Sequence, residues 1–195
     1  MKITIIRHGT TEGNVKMLYY GSTDIPILPE SAARLRERAS RGFYPKADKY
    51  YTSGMLRAEQ SFEAIFGDID HTALHDMREI DLGDFEMRKY EDLKEDPAFI
   101  EWITGDNEAN RCPNGESGNE VTERSLRALN GVVAEGNDAF IIAHGGVIGG
   151  IMARLFPSPE GRFKYTPGAG EGYIIEFENG EPTGYTELKA DDEGA

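Results

Sequence analysis

Three short strand-like runs, at residues 2–7, 49–52 and 138–143, are separated by stretches with helical periodicity. This alternation constrains the fold more than any other feature of the chain. Each run has strand length, while the segments between them space their apolar residues three and four apart. Over residues 31–39 the spaced residues are Ala32, Leu35 and Ala39. Over 55–66 they are Met55, Ala58, Phe62 and Ile65, and Gly67 ends that helix. Ser117-Gly118-Asn119-Glu120 has the form of a capping box. The helix it opens carries Val121, Leu126, Leu129 and Val133 and stops at Gly136. Residues 145–155 give one more helix, close behind the third run. Strands alternating with helices predict an α/β fold whose sheet is parallel at its centre and covered by helices. Two later runs, 172–178 and 183–188, flank Asn179-Gly180-Glu181-Pro182 and predict a β-hairpin. With 195 residues, no internal repeat and no dividing linker, one domain over 1–195 is expected. Its acidic tail at 190–195 is expected to fray.

The first run delivers Arg7-His8-Gly9-Thr10 to its C-terminal end, where open α/β sheets bind ligands. An imidazole that is largely unprotonated near neutral pH can act as a nucleophile. Arginine offers a fork of donors that matches phosphate oxygens. Glycine lets a bound group approach the backbone. The set predicts a site for covalent phosphoryl transfer.

Composition narrows the partners. A formal net charge of −14 argues against nucleic acid, which needs a basic surface. It leaves room for a local basic pocket around Arg7 and Arg57, because fields between charges fall off over roughly 8–10 Å at physiological salt. Cys112 is the only cysteine, so no internal disulfide and no cysteine metal site is expected, and a reducing compartment fits. No apolar run approaches membrane-spanning length, and the N-terminus lacks a signal-peptide pattern. A soluble, cytoplasmic protein is expected.

Four blocks extend the reading. Arg7-His8-Gly9-Thr10-Thr11-Glu12-Gly13-Asn14 resembles the R-H-G-x-T-x-x-N signature of the histidine phosphatase (phosphoglycerate mutase-like) superfamily. The run from Ser53 through Arg57-Ala58 and Gln60 to Ser61 is similar to its second block, S-x-L-x-R-A-x-Q-T. Arg78-Glu79 through Gly83 to Phe85-Glu86 resembles R-E-x-x-x-G-x-W-E, and His144-Gly145-Gly146-Val147-Ile148 resembles H-G-G-V-I. The blocks stand in the family's order from residue 7 to residue 148. Several positions depart from the pattern. Ile27-Leu28, Ser31 and Arg34 replace its usual residues near the second helix, Phe85 replaces a tryptophan, Met87 a glycine, and Gly149 an arginine.

The resemblance implies a three-layer α/β/α sandwich with a mixed sheet, and a metal-independent phosphomonoesterase without cofactor. His8 would be the nucleophile, with its other ring nitrogen held by a backbone carbonyl. Glu79 would be the proton donor, and His144 a further donor once protonated. Arg7, Asn14, Arg57 and the amide of Gly145 would bind the phosphate. Gly21 and Ser22, following the phosphate loop, are candidates to touch the leaving group, as are Tyr19 and Tyr20. The substrate implied is a small phosphate ester, with no nucleic acid or membrane partner, and a homodimer is allowed but not required. Two alternatives stay open: a phosphoglycerate mutase-type phosphotransferase and a non-enzymatic phospholigand-binding module. A mutase would be expected to carry a longer basic insertion than 94–119, whose cations are Lys94 and Arg111. A metallohydrolase would want clustered ligands around His8 and His144, and no such cluster accompanies them. His71 and His75, alternating along an expected strand, are read as structural. Phe99 and Trp102, in the irregular stretch 91–118, are read as core.

Overall fold

The structure, a computed structural model, describes residues 1–106 and 108–190. The expected frayed tail lies, beyond residue 190, outside the described residues. Six strands form one sheet in the order β3-β2-β4-β1-β5-β6. They are β1 (Lys2–Arg7), β2 (Lys49–Thr52), β3 (Thr72–Ala73), β4 (Ala139–Ala143), β5 (Gly172–Glu178) and β6 (Glu181–Leu188). The first four run parallel, β1 beside β4, β4 beside β2 and β2 beside β3. β5 pairs antiparallel with β1, and β6 closes the hairpin on β5. The mixed, centrally parallel sheet is the expected one.

The layers follow from the period of two along buried strands. In β1, Ile3 and Ile5 point to one face and Ile6 to the other; in β4, Ala139, Ile141 and Ala143 oppose Phe140 and Ile142. The first face is covered by α6 (Gly118–Glu135) and α7 (Gly145–Leu155), through Val121, Leu129, Val147, Ile148 and Ile151. The second is covered by α2 (Pro29–Ser40) and α3 (Leu56–Phe66), through Leu35, Ala58 and Phe62. Both central strands are thus buried on two sides, as parallel strands require.

The capping box at the head of α6 forms: the Ser117 hydroxyl accepts from the Glu120 amide at 3.3 Å, and the Glu120 carboxylate accepts from the Ser117 amide at 2.9 Å. Gly136 ends the helix in the left-handed conformation, with φ 75°. Away from the sheet, Leu82, Phe85, Leu93, Phe99 and Cys112 make a smaller core against which Trp102 packs. Phe85 fills this core where the family pattern has tryptophan. The strand expected around His71 and His75 shrinks to Thr72–Ala73, and His75 opens a 3-10 turn. His71 bonds Glu59 at 2.7 Å and lies against the Phe62 ring.

Candidate active site

β1 ends between two neighbours, and this fixes Arg7 and His8. The amide of Arg7 bonds Glu171 O and that of His8 bonds Ala143 O. His8 is 3% exposed. Its Nδ1 lies 2.6 Å from the carbonyl oxygen of Gly9, so Nδ1 carries the proton and Nε2 keeps its lone pair. Burial, then Arg57 and Arg7, push the His8 pKa well below the ordinary 6.5. His8 is therefore a neutral imidazole with a fixed tautomer. The next turn is braced by two hydroxyls: Ser61 Oγ accepts from the Gly9 amide at 2.8 Å, and Ser31 Oγ from the Thr10 amide at 2.7 Å.

His144 caps α7 at the end of β4, with its ring centroid 5.1 Å from that of His8. Its Nδ1 accepts from Arg57 Nε at 3.2 Å, which leaves the proton on Nε2, donated to Ser53 Oγ at 2.7 Å. Burial and then Arg57 hold its pKa well below 6.5. His144 is neutral because it is fully buried and already accepts from a guanidinium.

Arg57, at the second position of α3, is 1% exposed. Its Nη2 donates to Gly21 O at 2.7 Å and its Nη1 to Thr23 O at 3.0 Å, and its guanidinium carbon sits 5.3 Å from the Tyr20 ring centroid. Asp24 stands 3.6 Å from Nη1. Arg7 donates from Nη1 to Pro167 O at 3.1 Å. Its buried Nε has no hydrogen-bond partner among the described residues, and it stands against Gly145 at the head of α7. The two arginines reach the site from different segments, as a clamp on several oxygens requires.

Glu79 faces the head of α7 as well. Its Oε2 accepts from the Gly146 amide at 2.9 Å and its Oε1 from the Ile80 amide at 3.0 Å. The neighbouring Arg78 is exposed. Arg124 of α6 fixes the backbone here, donating to the carbonyls of Asp76, Arg78 and Glu79. Asn14 closes α1 (Glu12–Val15) in a capping box with Thr11, whose amide and hydroxyl donate to Asn14 Oδ1. Gly21 lies between Glu79 and Arg57. Ser22 is exposed and its hydroxyl is donated to Asp81 at 3.0 Å.

Sequence reading missed the residues that hold these groups. Ser53 and Ser61 stand at the two ends of the second block, fully buried, one on His144 and the other on Gly9. Small hydroxyl residues bracketing the arginine were the available signal. Gly149 explains one departure: a Cβ there would lie 2.8 Å from Arg162 O and 3.2 Å from Thr166 Oγ1. An arginine would push the 3-10 turn Gly161–Tyr165 off α7. Met87 stands at φ 59°, a conformation that favours the glycine of the family pattern. Among the described residues no group of three or more His, Cys, Asp or Glu side chains is placed to hold a metal ion, and no helix is long and apolar enough to cross a membrane.

An imidazole with one ring nitrogen uncommitted, two arginines and a carboxylate gather around one helix head on an α/β/α sandwich. The sequence profile of the histidine phosphatase superfamily (branch 1) matches residues 3–186, and the chain belongs to that family as a phosphatase. It is 28% identical over 166 residues to adenosylcobalamin/α-ribazole phosphatase of Salmonella typhimurium, covering 82% of this chain and 81% of the relative. It is 25% identical to a protein of Cronobacter sakazakii named "Probable phosphoglycerate mutase GpmB", covering 82% of this chain and 76% of that one. The crystal structure of α-ribazole phosphatase from Shigella flexneri shares the fold with a TM-score of 0.84 at 24% identity, over 94% of each chain.

Proposed function

We propose that this phosphatase is a metal-independent phosphomonoesterase acting on a small phosphorylated metabolite through a phosphohistidine on His8, with Glu79 as proton donor. One observation carries the reading: a buried, neutral His8 whose Nδ1 is committed to Gly9 O, leaving Nε2 as the nucleophile. In the first step the Nε2 lone pair forms an N–P bond as the ester P–O bond breaks, and Glu79 gives its proton to the departing alkoxide. In the second step water attacks phosphorus, its proton passes to the Glu79 carboxylate, the N–P bond breaks, and inorganic phosphate leaves.

The transition state spreads charge over the equatorial oxygens, so positioned donors supply most of the catalysis. Arg7, through an Nε with no partner among the described residues, Arg57, the Gly145 amide and Asn14 are the donors assigned to those oxygens. His144 orients Arg57 and lies across the site from the nucleophile. Gly21 and Ser22 line the approach of the leaving group. A reducing, cytoplasmic setting fits the lone buried thiol of Cys112.

The test is hydrolysis of para-nitrophenyl phosphate at mildly acidic pH with EDTA present, for the native protein and His8→Ala. Turnover should survive EDTA and vanish in the variant, and a panel including α-ribazole 5′-phosphate and phosphoserine then ranks substrates. Loss of turnover with EDTA, or its survival in His8→Ala, would remove His8 as nucleophile. Activity that depends on a bisphosphorylated primer would turn the assignment to a mutase.

A further inference from the structure

We propose that Glu86 is a positioning residue of the phosphate clamp, acting on Arg57 through the loop Gly21-Ser22-Thr23. The inference rests on the proposed function in taking Arg57 as a phosphate ligand. Glu86 follows the 3-10 turn Gly83–Phe85 and lies far from Arg57 in sequence. Its carboxylate accepts from the amides of Gly21 at 2.9 and 3.1 Å, Ser22 at 2.9 Å and Thr23 at 3.1 Å. It also accepts from the Thr23 hydroxyl at 2.6 Å and the Leu82 amide at 3.0 Å. Three successive amides converging on one anion form a backbone concavity that the anion itself shapes.

That shape decides where the opposite side of the loop points. With the amides turned to Glu86, the carbonyls of Gly21 and Thr23 turn to the two terminal nitrogens of Arg57. A buried guanidinium needs such partners, since an unpaired buried charge is costly. Asp24 stands 3.6 Å from Nη1, beyond hydrogen-bond reach and partly exposed, so the carbonyls rather than this carboxylate hold the fork. Two carbonyls fix the fork and leave the charge in place. Beyond Asp24, a further negative charge stands one loop away, on Glu86, and it acts on the orientation of the two carbonyls.

Nothing else in the structure accounts for this carboxylate. Among the described residues Glu86 forms no salt bridge. Burial pushes its pKa up, but the bonds from Thr23 Oγ1 and the amides of Leu82, Ser22 and Thr23 outweigh that and hold it below the ordinary 4.5. It is an ionised organiser of a loop rather than half of an ion pair.

The experiment titrates inorganic phosphate calorimetrically into the native protein, Glu86→Gln, Glu86→Asp, Arg57→Ala and the Glu86→Gln/Arg57→Ala double variant, with circular dichroism to confirm folding and steady-state rates alongside. Glu86→Gln should weaken phosphate binding about tenfold, and kcat should fall as well, because the guanidinium is no longer held in register. Glu86→Asp should recover part of both. In the Arg57→Ala background, Glu86→Gln should change phosphate affinity by less than about twofold, since residues acting as one unit are not additive. If Glu86→Gln fails to fold, Thr23→Val removes only the 2.6 Å hydroxyl bond and should weaken phosphate binding in the same direction. A folded Glu86→Gln that binds phosphate like the native protein, or effects that add to those of Arg57→Ala, overturns the proposal. Phosphate binding needs no turnover. A native protein that binds phosphate but hydrolyses no ester therefore sinks the proposed reaction while Glu86 is still judged by the same titration, and one that binds no phosphate sinks both.

Discussion

Replacing Gly21 by alanine should cost the protein most of its turnover while leaving the fold in place. A Cβ built on Gly21 would lie 1.8 Å from the carbonyl oxygen of Ile80, and Cβ atoms essentially never come within 3.0 Å of a neighbour. The two must part by about 1.2 Å, from 1.8 Å to 3.0 Å. Both sides are backbone, and both are committed. Gly21 is held through its amide by Glu86 and through its carbonyl by Arg57, while the Ile80 amide holds Glu79 Oε1. The displacement is thus shared between Arg57 and Glu79, the proposed phosphate ligand and proton donor. A misplacement of about 1 Å near the chemistry is worth roughly a hundredfold in rate, or about 2.7 kcal/mol of barrier. Initial rates of para-nitrophenyl phosphate hydrolysis for Gly21→Ala should show that loss in kcat/KM. A thermal melt run in parallel should show a cooperative transition shifted down by only a few degrees. A folded variant with activity within about threefold of native would refute the reasoning, because the loop could then move without disturbing the chemistry.

Two further outcomes follow from burial. His8 and His144 have folded pKa values well below 6.5, so below that pH the unfolded chain binds more protons than the native one, and stability falls as pH drops through about 6.5. The slope should reach up to about 2.7 kcal/mol per pH unit for the pair, read by urea unfolding between pH 7.5 and 5.5, and His144→Asn should remove about half of it. Burial and then Asp81 push the Cys112 thiol up to about 12, so a disulfide-exchange reagent should fail to label the native protein and label it fully in denaturant.

The sheet was legible because strand and helix carry different periods. The stretches around Ile3–Ile6 and Phe140–Ile142 are almost continuously apolar, broken only by Thr4, while the helices between them show one apolar stripe each. Ser117 and Gly136 marked α6 through cap chemistry that acts within a few residues. His71 and His75 misled about β3 because two residues spaced by one polar position do not by themselves specify a strand. In the site, each motif block named a residue that the structure brings near the head of α7. What stayed hidden was second-order: Arg57 could have paired with Glu59 or Glu63 on its own helix, and its partners are instead two loop carbonyls, His144 and Asp24. Glu59 turns away to Thr52 and His71.

The position of β1 has a consequence for how the chain comes to be active. The strand that ends at His8 is made well before its partners, β4 and β5: Ile3 pairs with Ala139 on one side and Ile175 on the other. Pairing over such separations is slow, because loop closure precedes any reward. Until β5 has arrived, His8 ends a strand with one open edge, and Arg7 lacks Glu171 and Pro167, which hold its backbone and guanidinium. Phosphoryl transfer should therefore appear as an all-or-none property late in folding, and chains interrupted before residue 172 should bind no phosphate, however much helix they contain.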